Sequence, residues 1–216
     1  MSRSETSCPN CGAPIVYSTA VSLMVVCEYC DTTVVRKDLD ISSIGKMAKL
    51  APDASPLHLG IEGTDRGRPF TVIGRLQIHH DVGLWNEWFI RYGDSSGPET
   101  AWIGEAMGDY MIYWESSSKG GLPDPDDLQP GRPLKLGGRR YTVSDMRLAR
   151  CVAGEGELPF AVGSGYEFRT VDLRSADHRV ATIDYSEAEP TLYEGLWQEF
   201  DEFRFDSPRE FDGWSS

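Results

Sequence analysis

The sequence of 216 residues has no long apolar run and few basic residues. No segment approaches the roughly 20 apolar residues that a membrane-spanning helix requires. The chain carries 21 lysines and arginines against 34 aspartates and glutamates, which gives a formal net charge of −13. Binding to nucleic-acid phosphates or to anionic lipid requires a basic surface. The sequence therefore predicts neither nucleic-acid binding nor direct membrane insertion.

Other absences narrow the functional class further. The sequence contains neither the G-x-x-x-x-G-K-[ST] loop of nucleotide binding nor a G-x-G-x-x-G segment. The sequence therefore lacks the glycine-rich loops whose backbone N–H groups usually bind the phosphates of nucleotides and dinucleotides. Residues 1–5 include no apolar segment, so no secretory signal is expected. These features predict a cytoplasmic protein.

Four of the five cysteines form two Cys-x-x-Cys pairs with fifteen residues between them, namely Cys8, Cys11, Cys27 and Cys30. This spacing is typical of a four-thiolate zinc ribbon, in which two tight turns aim their sulfurs at one point. Gly12 follows the second cysteine, where a positive φ is often needed. Four thiolates fill a tetrahedral zinc ion, so we expect one structural Zn²⁺. Disulfides are the alternative, but a reducing cytoplasm disfavours them.

The fifth cysteine, Cys151, stands apart from these pairs. It follows Arg147 and Arg150, which would lower the pKa of its thiol if they lay near it. No nearby histidine completes a nucleophilic pair. We therefore favour a buried small apolar residue in a strand over a reactive thiol.

Beyond the ribbon, short alternating apolar segments between Gly, Asp and Pro turns predict a mainly β chain. Residues 40–50 place Ile41, Ile44 and Met47 at helical spacing and predict a short helix. The expected organisation is a zinc ribbon (1–38), the helix and a linker (39–56), a first β unit (57–119), a joint (120–131), a second β unit (132–205) and an acidic tail (206–216). Nine acidic residues against two arginines in residues 186–216 supply much of the negative charge.

The two β units share a weak internal repeat. Gly60, Gly67 and Phe70-Thr71-Val72 recur, at one constant offset, as Gly131, Gly138 and Tyr141-Thr142-Val143. Ala101-Trp102-Ile103 corresponds to Ala181-Thr182-Ile183 at a larger offset. The pattern indicates two related small antiparallel β-barrel or sandwich units. Chance matching of glycines and strand formers is the alternative.

Several segments resemble a known family, among them Trp85-Asn86-Glu87-Trp88, Ile103-Gly104-Glu105-Ala106-Met107-Gly108 and Ala181-Thr182-Ile183-Asp184-Tyr185-Ser186. On these segments the chain resembles the bacterial family named domain of unknown function 4178, in its form with an N-terminal zinc ribbon. The resemblance implies a bacterial origin but no activity, because the family has no established one. Its genes tend to accompany membrane proteins and enzymes similar to those of polyamine synthesis, which implies an accessory role.

Indoles and carboxylates are the remaining candidates for a binding site. Trp is enriched at binding hot spots and attracts cations with its ring face, although the favoured interpretation of the clustered tryptophans is that they belong to the core. A cationic ligand such as a polyamine, or a basic peptide, would suit such a face. The candidate binding face comprises Trp85, Glu87, Trp88, Trp102, Glu105, Glu157 and Asp184.

A catalytic metal site is a weaker candidate. His79, His80 and Asp81 lie near Glu87 and Glu105 in the sequence, but they match no metal-binding signature, and a polar turn is the favoured interpretation. We therefore predict a non-catalytic zinc-binding accessory or adaptor protein with a protein partner. The alternative is a hydrolase or transferase that uses carboxylates of the β units.

Overall fold

A computed structural model describes residues 4–37, 40–94, 99–117, 121–161 and 165–211. The prediction of a mainly β chain is confirmed. The strands are β1 (Ser4–Ser7), β2 (Pro14–Tyr17), β3 (Met24–Val26), β4 (Thr32–Lys37), β5 (Asp40–Lys46), β6 (Glu62–Asp65), β7 (Arg68–His80), β8 (Gly83–Tyr92), β9 (Thr100–Ala106), β10 (Asp109–Glu115), β11 (Pro133–Leu136), β12 (Arg139–Leu158), β13 (Tyr166–Arg174), β14 (Arg179–Asp184) and β15 (Thr191–Gln198). Two short 3-10 helices span Pro125–Asp127 and Phe200–Phe203.

Eight of these strands close into an antiparallel barrel. Their order is β7-β8-β9-β10-β15-β14-β13-β12, and β12 pairs with β7 to close the circle. Strands β7 to β10 come from the first predicted unit and β12 to β15 from the second. Each unit therefore supplies four consecutive strands to one barrel, whose interior is just wide enough for side chains or one small ligand.

The barrel confirms the repeat seen in the sequence. Each half opens with a two-residue hairpin, Arg66-Gly67 between β6 and β7 and Gly137-Gly138 between β11 and β12, and φ is positive at all four residues. Positive φ at both central residues defines the hairpin turns that match strand twist. Just before each hairpin, the N–H of Gly60 donates to Val72 and that of Gly131 to Val143, both at 2.8 Å.

The two halves are related by an approximate two-fold arrangement. The first strands of the two halves, β7 and β12, pair with each other, and so do their last strands, β10 and β15. These two junctions between the halves are called the seams of the barrel. The register shifts also correspond, since one lies between Val72 and Gly74 and the other between Val143 and Asp145. The constant offset in the sequence thus reflects a repeated unit of structure.

Each half also packs an apolar cluster on the outer face of its four strands. In the first half, Trp88, Ile90 and Ile103 pack with Leu57 from the segment before β6. In the second half, Val171, Leu173 and Ile183 pack with Leu128 from the segment before β11. The barrel wall is therefore buried on both faces, which explains why its strands are richer in apolar residues than strict alternation requires.

The C-terminal segment packs against the first half of the barrel, although it follows the second half in the sequence. Phe203, near the end of the predicted second β unit (132–205), is fully buried in a 3-10 helix and packs in the cluster of Trp88. The N–H of Asp206 donates to the carbonyl of Glu62 at 2.8 Å, which covers the outer edge of β6. Residues 212–216 of the predicted tail lie outside the described residues.

The predicted helix over residues 40–50 is wrong. Residues 40–46 form β5, which pairs along β4 from Lys37↔Asp40 to Thr32↔Lys46. Gly45 has φ of +123°, which no α-helix allows. The open edge of β4 offers backbone partners, and this tertiary pairing overrides a weak local periodicity. No helix in the described part of the chain is long and apolar enough to cross a membrane.

Candidate metal centre and barrel cavity

The four cysteines of the two Cys-x-x-Cys pairs meet at one point. Cys8 follows β1 and Cys11 precedes β2, while Cys27 follows β3 and Cys30 precedes β4. Both turns are held by backbone hydrogen bonds, from Gly12 to Cys8 and from Asp31 to Cys27, each 2.9 Å long. Gly12 has φ of +75°, as its position predicted, and Asp31 has φ of +58° at the equivalent point of the second turn.

The sulfur positions fit a tetrahedral metal ion. All four Sγ atoms lie within 4.8 Å of one another, and the Cys8–Cys30 and Cys11–Cys27 pairs are both 3.7 Å apart. A zinc–sulfur distance of about 2.3 Å places tetrahedral sulfurs about 3.8 Å apart. The Thr32 hydroxyl, 3.2 Å from Sγ of Cys30, leads the groups that lower the pKa of the Cys30 thiol to about 5. The four sulfurs are thus placed so that they could hold one metal ion.

The ribbon is joined to the barrel by a shared sheet. Strand β3 pairs with the end of β12, with Val26 opposite Gly156 and Met24 opposite Leu158. Strands β4 and β5 continue this sheet outward from β3. The Glu157 carboxylate accepts a hydrogen bond of 2.8 Å from the N–H of Ser18 and is 8% exposed. Glu157 therefore links the ribbon to the barrel.

A cavity of about 260 Å³ occupies the interior of the barrel. Every barrel strand contributes at least one side chain to its wall. Leu76, Trp102 and Phe168 give the lining an apolar part, and Glu87, Asp184, Tyr113 and Tyr193 give it a polar part. Leu76 lies directly across from Glu87 on the neighbouring strand, so apolar and acidic side chains adjoin in the wall. The partly exposed side chains of Phe160 and Tyr166, together with exposed Glu187, edge the opening. The result is an amphipathic pocket with carboxylates at depth.

The deepest carboxylate of this cavity is Glu87. Its Oε1 accepts a hydrogen bond of 2.7 Å from the indole of Trp85, and its Oε2 accepts one from the hydroxyl of Tyr113. Burial, with smaller contributions from the charges of Asp172 and Asp184, raises the pKa of Glu87 to about 8, against the lowering effect of the hydrogen bond from Trp85. Burial in the barrel therefore favours the protonated form of this carboxyl group.

Two more carboxylates of the second half approach Glu87. Burial raises the pKa of Asp172 to about 6, although Thr182 donates to this carboxylate at 2.8 Å. Burial also raises the pKa of Asp184, which accepts a 2.7 Å hydrogen bond from the N–H of Ser186. No lysine, arginine or histidine is among the described residues that line the cavity. The cavity lining therefore supplies no cation to Glu87 and Asp184, while the charges of Arg174 and Arg147 lower the pKa of Asp172.

Two other residues of the candidate face lie on the opposite side of the barrel wall. Trp88 and Glu105 belong to the outer layer, where Oε2 of Glu105 accepts from the Trp88 indole at 2.8 Å and from the Ser55 hydroxyl at 2.6 Å. Asn86 and Tyr110 also donate to Glu105. Four donors satisfy this buried carboxylate, so its role is to fasten the segment around Ser55 to the barrel.

The seven residues predicted as one face therefore occupy three places. Successive side chains of a strand point to opposite faces, so Trp85 and Glu87 enter the barrel while Trp88 leaves it. Trp85, Glu87, Trp102 and Asp184 line the cavity, Trp88 and Glu105 lie in the outer layer, and Glu157 lies where the ribbon meets the barrel.

A family comparison covers the barrel. Residues 58–200, well over half of the chain, match the model of a family described as Domain of unknown function (DUF4178). The chain belongs to the DUF4178 family. The matched range begins after the ribbon, so the four cysteines lie outside it. No curated protein and no solved structure matches the chain.

Inside the DUF4178 domain, Cys151 is a wall residue of the cavity and is 1% exposed. Burial raises the pKa of its thiol to about 11, and its hydrogen bond goes to the carbonyl of Ala153. These surroundings match the predicted buried, unreactive residue. His80 and Asp81 of the same domain contact each other at 3.3 Å, and within the described ranges they join no metal-ligand cluster.

Tyr113 and Tyr193 are cavity residues that sequence reasoning missed. Their rings pack edge to face with centroids 5.7 Å apart. Their separation along the chain equals that of Ala101 and Ala181. Extending that offset along the DUF4178 domain would have placed the two tyrosines at equivalent positions.

Proposed function

We propose that this DUF4178 protein is a non-catalytic accessory protein of the bacterial cytoplasm that binds one structural zinc ion and a protein partner. The observation that carries the proposal is the four-sulfur cluster, because four thiolates leave a bound zinc ion no position for water or substrate. The metal then acts by fixing the ribbon, whose hydrophobic cluster is small and includes the cysteines Cys8 and Cys27 themselves.

The edge strand β5 is the proposed docking site for the partner. It ends the sheet of β3, β4 and β5, and no strand of the described chain pairs with its outer edge. The side chains of Ser42 to Lys46 are exposed, and Ile44 is 51% exposed. An extended segment of a partner adds readily to such an edge, where backbone groups supply affinity and exposed side chains supply selectivity. Covered β6 offers no comparable edge.

Affinity capture from the native bacterium, read by mass spectrometry, tests this proposal. A photo-crosslinking residue at Ser43 should capture a partner directly on β5. Ile44→Asp and Cys27→Ala should lose that partner, while Met107→Asp, on an exposed turn of the barrel, should keep it. Retention of the same partner by Ile44→Asp and Cys27→Ala, or crosslinks that avoid β5, would refute the docking site.

A further inference from the structure

The barrel cavity is a second feature that the proposed zinc function does not use. Eight-stranded barrels are the smallest that hold one ligand in their interior. Here all eight strands contribute side chains around a space of about 260 Å³. Leu76, Ile78 and Phe168 form an apolar wall, and the stacked Trp102 and Phe160 rings, 5.9 Å apart, continue it toward the opening. This wall suits an apolar body of small size.

The acidic part of the lining suits a positive charge. Glu187 stands exposed at the opening, Asp184 lies deeper, and Glu87 lies deepest. The hydroxyls of Tyr113 and Tyr193 face the same space. Aromatic rings and carboxylates around a concave pocket are the groups that recognise organic ammonium ions. A metal cation would leave the apolar wall unused, and an anion would meet three carboxylates.

We propose that the barrel cavity binds a small organic ammonium ion with an apolar body, whose charged head lies between Glu87 and Asp184. The ligand supplies the cation that the described lining lacks. Its alkyl or aryl part covers Leu76, Trp102 and Phe168. The proposal is independent of the zinc function, since none of the four cysteines lines the cavity.

Proton release from Glu87 should make the affinity of the cavity for its ligand depend on pH. The groups that face Glu87 are Trp85 of its own strand, Tyr113 of β10, Tyr193 of β15, Asp172 of β13 and Asp184 of β14. None of them is basic. A bound ammonium ion favours the ionised carboxylate, so binding releases a proton from Glu87 at neutral pH. Affinity should rise as the pH approaches 8.

Isothermal titration calorimetry of the full-length protein tests the proposal with hexylamine and spermidine as cations and 1-hexanol as the neutral probe of similar length. We expect saturable binding of at least one amine, about tenfold or more tighter than that of 1-hexanol. Glu87→Gln and Asp184→Asn should each weaken amine binding about tenfold or more, since tenfold is the lower end of the coupling between close charge partners. The matched control Glu167→Gln removes an exposed carboxylate from β13 and should bind as wild type.

Three results would overturn the proposal. They are no saturable binding of either amine at 10 mM, equal binding of 1-hexanol and hexylamine, or unchanged amine affinity in both cavity variants. Circular dichroism and the unfolding midpoint of each variant confirm that it is folded. The zinc content of each variant, measured in parallel, should stay at one ion per chain, so failure in the cavity is distinguishable from failure of the ribbon.

Discussion

The N–H of Ser18 donates to the carboxylate of Glu157 across 139 residues of sequence, with a distance of 2.8 Å. Ser18 closes the first hairpin of the ribbon, and Glu157 lies in the part of β12 that pairs with β3. Both residues are only 8% exposed. The bond therefore links the folding of the ribbon to that of the barrel.

Removal of this acceptor should destabilise the protein. In Glu157→Ala the buried N–H of Ser18 loses its partner, which costs about 1–3 kcal/mol in the free energy of unfolding. Glu157→Gln keeps an oxygen acceptor and should cost clearly less. Urea unfolding followed by circular dichroism measures both variants. Equal urea midpoints of unfolding for the alanine variant and the wild type would contradict the role of Glu157 as a link between ribbon and barrel.

Loss of the metal should loosen the barrel as well as the ribbon. We expect one zinc ion per chain by inductively coupled plasma mass spectrometry, and none in Cys27→Ala. Cys151→Ala is the matched control, because it removes a cysteine outside the cluster and should keep the metal. Chelation should accelerate hydrogen exchange in β3 and in residues 156–158 of β12, which pair with each other. Exchange confined to residues 4–17 would show that the ribbon and barrel unfold separately.

The pH dependence of stability should carry the signature of Glu87. The unfolded chain ionises this group near its ordinary value of 4.5, while the folded protein holds the proton up to a pKa of about 8. Between these values the folded state binds more protons, so the free energy of unfolding falls as pH rises, by at most ~1.4 kcal/mol per pH unit from this group.

Glu87→Gln should therefore flatten the stability profile between about pH 4.5 and 8. The ligand-free variant should be more stable than the wild type at pH 8. Urea unfolding at pH 5, 6.5 and 8 provides the comparison, with Glu167→Gln as the surface control. A profile in Glu87→Gln as steep as that of the wild type would show that Glu87 is ionised in the folded protein at neutral pH.

A methyl group at Gly74 should open the seam between the halves. A Cβ atom there would lie 1.8 Å from the carbonyl oxygen of Glu157, a backbone atom of the paired strand. We expect Gly74→Ala to cost ~3 kcal/mol or more, at the upper end of overpacking penalties. In the control Gly83→Ala, the nearest atom is Nε2 of His80 at 3.5 Å. A thermal midpoint for Gly74→Ala close to that of Gly83→Ala would contradict this account of the seam.

The sequence predicted what depends on local geometry. The Cys-x-x-Cys spacing placed four sulfurs together because each pair needs only one tight turn. The internal repeat was visible because Gly60 and Gly131 begin the same hydrogen-bonded approach to their hairpins. The helix over residues 40–50 failed because the partner of β5 is β4, which a local pattern does not reveal.

The candidate site was predicted only in part. Glu87 and Asp184 belong to different halves of the chain, and closure of the barrel brings them to the same cavity. Strand parity separates Trp85 from Trp88, and it could have been applied to β8 without a structure. The tie between Glu157 and Ser18 depends on the pairing of β3 with β12, a contact between the ends of two distant segments.

The two seams have a consequence for how the chain can be divided. The seams comprise four residue pairs between β7 and β12 and six between β10 and β15, and both join one half of the barrel to the other. A cut at the start of the predicted joint (120–131), in the connection between β10 and β11, would leave every hairpin of the barrel intact and expose four strand edges. Fragments 1–119 and 120–216, expressed as separate chains, should therefore reassemble into a barrel with its cavity restored. The amine binding proposed for the cavity would then serve as a measure of how completely the two fragments reassemble.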